Sequence, residues 1–175
     1  DKSIQILVRS YDTPPPRCFD VAIAIESLAH SADPGASLRA LASRVAPGGL
    51  LAIVDDMPEL PARGSHDLAV FKRGWRLPVL WSEDEFRAGF QDAGLTLIAN
   101  RDLTPEVRPR TLAGIDRLES LNRAVHRRAP FEGLRAMLDS YYGGLALERL
   151  DRQTLMKYRL LIAQRPGAPG RLPYT

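Results

Sequence analysis

Cysteine is almost missing from this chain: Cys18 is the only one among 175 residues. It has no partner for an internal disulfide and cannot build a metal site alone. A reducing, cytoplasmic setting is the expectation. Long apolar runs are missing too. The longest, Phe19 to Ile25 with Leu28, is broken by Asp20 and Glu26, far short of the ~20 residues that cross a bilayer. No membrane association is expected. The opening Asp1-Lys2-Ser3 does not read as a signal peptide, since no basic segment leads into an apolar stretch. No HExxH, CxxC or carboxylate cluster suggests a metal, and no GxSxG elbow suggests a serine hydrolase. There is no Gly-x-Gly anywhere. A strong charge of one sign is also lacking: 24 Lys and Arg against 21 Asp and Glu leave +3. Arginine is scattered, densest at Arg123, Arg127 and Arg128. A nucleic-acid binder concentrates such charge on one face with aromatics between, so that patch reads as a solvated helix face and no nucleic-acid partner is expected.

What is present is ordinary for a globular domain: 45% apolar and 26% charged residues. The length suits one domain with one core. Apolar runs at Ile4–Val8, Phe19–Ile25, Leu50–Val54, Leu95–Ala99 and Leu155–Ala163 read as strands. Leu38 to Val45 carries apolar residues at 38, 41, 42 and 45, the spacing of a helix, which Pro47-Gly48-Gly49 should end. Ser82 with Glu85 three residues on predicts a capping box opening a second helix, closed by Gly94. Two more amphipathic helices are expected, from Thr111 to about Arg128 and from Phe131 to about Tyr142. Alternating strands and helices predict an α/β sheet with helices on both faces. A last strand after two helices is expected to return antiparallel at the sheet edge. Residues 167–175, rich in Pro and Gly, should be a flexible tail.

In an open parallel sheet, ligands bind beyond the carboxyl ends of the strands. Two segments qualify: Glu26-Ser27-Leu28-Ala29-His30 and Asp55-Asp56-Met57. A histidine can take a proton from a substrate hydroxyl. A carboxylate on its other nitrogen would fix the tautomer and stabilise the imidazolium. His30 with Asp55 is that candidate pair; the plainer alternative has His30 capping a helix or bonding a backbone carbonyl. His66, in the polar RGSHD stretch, and His126, among arginines, read as surface residues.

The stretch Phe19 to Met57, FDVAIAIESLAHSADPGASLRALASRVAPGGLLAIVDDM, resembles the second half of a class I S-adenosylmethionine-dependent methyltransferase domain. An FD-led strand, a polar segment, a helix, a Pro-Gly-Gly turn and a strand ending in Asp follow in order. ESLAH followed by Asp33 is similar to the ES-x-x-H-x-x-D pattern of a small-molecule subgroup. That subgroup includes sugar O-methyltransferases of natural-product pathways and tocopherol and sterol C-methyltransferases. Leu77 to Pro109 resembles the same subgroup.

The resemblance implies the C-terminal part of a Rossmann-like methyltransferase sheet, mostly parallel with an antiparallel last strand. It implies a partial methyltransferase domain over 1–166, with cap insertions at about 58–81 and 105–150. Those insertions should build the acceptor pocket: Phe71, Trp75, Trp81, Tyr141 and Tyr142, where they face it, would suit a flat or apolar acceptor, and the plainer alternative for each is core packing under a cap. It implies S-adenosylmethionine as cofactor and a small-molecule acceptor as partner. His30 would be the base and Asp55 its orienting partner, which favours oxygen as the methyl acceptor. Ile25 and Glu26 would line the methionine part of the cofactor, and Asp12 would lie by the adenine, although an equally good alignment puts Arg9 there. The G-x-G-x-G cofactor loop of the family is absent. The expectation is a fragment that lacks roughly 80–100 residues, the size of a βαβ cofactor half, and is inactive alone. Two alternatives stand beside it: a C-methyltransferase on a prenylated or polycyclic lipid, and a non-catalytic partner domain that lost the cofactor half.

Overall fold

The computed structural model describes residues 6, 10 and 12–167. The strand expected at Ile4–Val8 lies outside the described residues apart from Ile6, as do Arg9 and the tail from 168 onward.

Four strands form one sheet. β1 (Phe19–Ile25) and β2 (Val45–Pro58) are parallel. β3 (Thr96–Asp102) and β2 both pair antiparallel with β4 (Met156–Gln164), so β1, β2 and β3 share one direction. The order is β1-β2-β4-β3. The last strand therefore has the expected direction but not the expected edge position. It sits between β2 and β3, bonded on both sides, with Leu161 and Ala163 fully buried.

Sequence and structure differ most around the Pro-Gly-Gly turn. α1 (Pro34–Ala42) starts four residues before Leu38, because Asp33 caps it through the Ala36 N–H at 2.9 Å and Pro34 occupies the first turn. It ends at Ala42, ahead of Pro47. Pro47-Gly48-Gly49 lies inside β2, where the pairing slips from Phe19 opposite Val45 to Val21 opposite Leu50. The glycines permit this bulge. Gly48 has φ +82°, and a Cβ on Gly49 would stand 2.7 Å from the Asp20 carbonyl oxygen.

α2 (His66–Trp75) lies in the expected 58–81 insertion, for which the residue pattern predicts no helix; Ser65 caps it by accepting the Leu68 N–H. α3 (Glu83–Asp92) opens with the expected Ser82–Glu85 capping box. α4 spans Leu112–His126. α5 (Glu132–Arg152) runs ten residues past Tyr142, straight through Gly143-Gly144.

α1 and α3 cover one face of the sheet. Leu38, Phe86 and Phe90 pack there on Ala24, Leu51, Ile53, Met57 and Leu161. On the other face Val21, Ile23 and Ile25 are exposed, Ile23 at 66%. A second helix layer is not found among the described residues. A separate core joins α2 and α5 beyond the carboxyl end of β2, with Phe71, Ala146, Leu150 and Met156 buried together. Polar bonds lock the same helices. Arg149 of α5 reaches Asp67 of α2 at 3.2 Å and Glu119 of α4 at 2.6 Å. Burial pushes the Glu119 carboxyl up, but bonds from Arg149 and the Tyr142 hydroxyl outweigh it and hold the pKa below the usual carboxylate range.

Gly74 and Gly143 make the α2–α5 crossing possible. A Cβ on Gly74 would meet the Asp139 carbonyl oxygen at 2.5 Å and the Gly143 Cα at 2.9 Å. Backbone cannot swing aside as a side chain can, so overpacking here should cost ~1–3 kcal/mol. Gly74→Ala is expected to lower the urea midpoint with little change in slope. An unchanged midpoint would mean the helices do not cross this closely.

Candidate functional site

The carboxyl ends of β1 and β2 lie side by side, with Ile25 opposite Val54. β1 ends in a residue with strained backbone: Glu26 has φ +47°, a left-handed conformation uncommon outside glycine. Its N–H is held by the Val54 carbonyl at 2.8 Å. This forces the chain off the sheet into the 3-10 turn Leu28–His30. Leu28 and Ala29 of that turn are buried, and His30 is exposed.

Asp55 and Asp56 are consecutive on a strand, so their side chains leave on opposite faces. Asp55 shares the phase of Leu51, Ile53 and Met57 and points under the helix layer, only 3% exposed. There it lines a small void with Leu28, Ala29, Trp81 and Phe86. Burial pushes its pKa up to about 6, opposed by the backbone N–H groups of Asp56 and Ala29. Its Oδ1 accepts the Asp56 N–H at 3.0 Å, and its Oδ2 has no partner among the described residues.

The expected bond between His30 and Asp55 is not present among the described residues. The Asp55 carboxyl lies below the turn instead, in the small void lined by Leu28 and Ala29, because its strand phase sends it there.

On the opposite face, Asp56 pairs across the ladder with Tyr158. The Tyr158 hydroxyl donates to Glu26 Oε1 at 2.9 Å. Asp151, in the last turn of α5, adds a third carboxyl. Burial, then the charges of Asp151, Asp55 and Glu26, push the Asp56 pKa up to about 8. Asp151 rises to about 6 through burial and Glu148. Tyr158 rises to about 12 through burial and its bond to Glu26. Carboxyl groups are thus crowded at the strand ends, where a bound cation would favour their ionised forms. Asp56, Asp151 and Tyr158 were not singled out from the sequence. A period-two reading of β2 would have separated Asp56 from Asp55. Tyr158 needed the register of a strand a hundred residues away.

The remaining expected positions are spread around this centre. Ile25 is 59% exposed on the uncovered face. Asp12 accepts hydrogen bonds from Ser10 and from the buried Ser37 of α1, which also bonds Ser31 at 2.7 Å. Asp12 is thereby tied to the segment after His30. Of the cap aromatics, Phe71 is core and Trp81 packs edge-on against Phe86. Tyr142 is engaged by Glu119 and Arg123. Trp75 and Tyr141 line an open cavity.

The Asp56 carboxyl binds its proton more tightly folded than unfolded, so its contribution to stability is complete below the unfolded value near 3.8 and is lost as pH rises through about 8. Melting temperature should fall from pH 5 to pH 8, and Asp56→Asn should flatten that fall and raise the melting point at pH 8. Parallel curves for the two proteins would contradict the crowding of charge around Asp56.

Comparison with known proteins places the chain. The profile of a family described as "Methyltransferase domain" matches residues 4–100, more than half of the chain. The O-methyltransferase resE of Aspergillus sclerotiorum is 32% identical over 91 residues, 52% of this chain and 34% of that protein. Among solved structures, the StiE O-methyltransferase region is similar at TM-score 0.64 and 16% identity, with 90% of this chain and 48% of that one covered. The geranyl diphosphate C-methyltransferase of Streptomyces coelicolor A3(2), solved with Mg2+, geranyl diphosphate and S-adenosyl-L-homocysteine, gives TM-score 0.62 and 18% identity, with 91% and 52% covered. The [4+2]-cyclase SpnF gives TM-score 0.62 at 16% identity, covering 91% and 55%. At such identities the structures establish a shared fold. The chain spans about half the length of the solved structures it resembles and a third of its curated relative. The α/β sheet and the sequence match agree: the chain belongs to the methyltransferase-domain family.

Proposed function

We propose that the protein of this chain transfers a methyl group from S-adenosylmethionine to a hydroxyl oxygen of a small molecule. The observation that carries the reading is the convergence of Glu26, Asp56, Asp151 and Tyr158 at the carboxyl ends of β1 and β2, in a chain of the methyltransferase-domain family. The donor is a cation at both its sulfonium and its amino group, and it supplies a methyl group that is already activated. The residues present suit it. Glu26 and Asp56 offer carboxylates to positive charge, and Ile25 offers an exposed apolar side chain beside them. Asp12, held by Ser10 and Ser37, is the candidate for the adenine end.

The chain's own chemical task is to hold the acceptor and take its proton. A hydroxyl is a poor nucleophile until that proton leaves. His30, exposed at the end of its turn, is the base. Asp55 is a positioning residue that steadies the turn through the Ala29 amide.

Removing a general base typically costs about 10²–10⁴ in rate. In the full-length protein, His30→Ala should lower kcat within that range, leave S-adenosylmethionine affinity within about twofold, and respond to added imidazole. Turnover that survives His30→Ala unchanged would exclude this histidine. Asp55→Asn keeps the shape of the side chain and should lower kcat less than His30→Ala does.

A further inference from the structure

Away from the strand ends, a cavity of about 520 Å3 lies on the cap, open to solvent, between α5, the end of α2 and the lead-in to α4. Pockets for small ligands commonly measure ~300–1,000 Å3. Its walls are chiefly apolar: Trp75, Met137 and Tyr141 line it. The Trp75 indole is pinned by a 3.0 Å bond to the Ser140 carbonyl, so a flat wall is ready before any ligand arrives. One polar edge is supplied by the ion pair of Arg110 and Glu148. Met137, Tyr141, Gly144 and Glu148 fall on one stripe of α5, and Asp151 continues it by one turn. Asp151 is the residue whose charge acts on Asp56. The cavity and the strand-end carboxylates therefore share one helix face.

The two adjacent glycines of α5 do different things. Gly143 lies against α2, where a Cβ would meet Trp75 at 2.9 Å and the Gly74 Cα at 3.2 Å. A Cβ on Gly144 would meet nothing within 4 Å. Packing does not require glycine at 144, and a mid-helix glycine costs ~0.5–1 kcal/mol relative to alanine. What its missing side chain leaves is the floor of the cavity.

We propose that this cavity is the acceptor site, that Gly144 sets its depth, and that it takes a flat aromatic or polycyclic hydroxyl compound. The body of such a molecule stacks against Trp75 and Tyr141, and a polar substituent meets Arg110 and Glu148. This rests on the methyl-transfer reading for the word acceptor. The binding site itself does not, and the two are tested separately.

The probe is 2-naphthol, titrated into the full-length protein and into Gly144→Leu, with Met137→Trp as a second occluding variant at an exposed position. Chemical shifts of the Trp75 indole and the residue-144 amide should saturate in the parent. Affinity should fall at least tenfold in both variants, while Gly144→Leu melts no lower than the parent. Equal affinity in parent and variants, or shifts confined to the uncovered sheet face at Ile23 and Ile25, would overturn the assignment. Calorimetry with S-adenosylmethionine keeps the outcomes apart. Naphthol binding at the cavity without cofactor binding would sink the methyl-transfer reading and leave the pocket standing. Cofactor binding with naphthol indifferent to both substitutions would do the reverse.

Discussion

The period of two along β2 is the constraint from which the site follows. It sends Asp55 beneath the helix layer and Asp56 to the opposite side, so that two neighbouring carboxylates do unrelated work. Asp55 is buried below the turn that bears His30, beside Leu28 and Ala29. Asp56 meets Tyr158, Glu26 and Asp151 in a crowd of carboxyl groups that makes it hold its proton. A slip of one residue in the β1–β2 pairing would exchange these roles. The bulge at Pro47-Gly48-Gly49 absorbs the irregularity before the strand reaches its functional end.

The cap is held to this centre by a second set of interactions. The Gly74–Gly143 crossing brings α2 and α5 together, and Arg149 ties both to α4. Because only three residues separate α5 from β4, the last turn of α5 lands beside the carboxyl end of β2. Position in the cap is thereby converted into position at the strand ends, which is how Asp151 comes to act on Asp56.

Much of the fold was legible in the sequence, because strong local signals agree with it. The apolar run of β1, the Ser82 capping box and the apolar end of β4 appear close to where the residue pattern puts them, although β1 buries only Ala24. The failures are equally physical. Pro-Gly-Gly looks like a helix stop, yet here it serves a bulge, since the true stop is the loss of helical pairing after Ala42. Gly143-Gly144 does not end α5, because burial against α2 compensates for weak local propensity. The residue pattern predicts no helix at α2 because its polar beginning, RGSHD, hides the Ser65 cap. At the site, the strand-end rule located Glu26, His30 and Asp55. It could not see Asp56 as distinct from Asp55, nor Tyr158 and Asp151, whose proximity depends on tertiary register.

The account stands on a cationic donor settling among carboxyls that hold their protons too tightly. At pH 7 such a ligand must expel a proton, chiefly from Asp56, whose pKa lies near 8 before binding. Titrating S-adenosylmethionine into the full-length protein at pH 7, in phosphate and in Tris, measures this directly through the difference in heat between buffers. The account predicts a net proton release that largely disappears in Asp56→Asn. Equal heats in the two buffers, or a release untouched by that substitution, would contradict it.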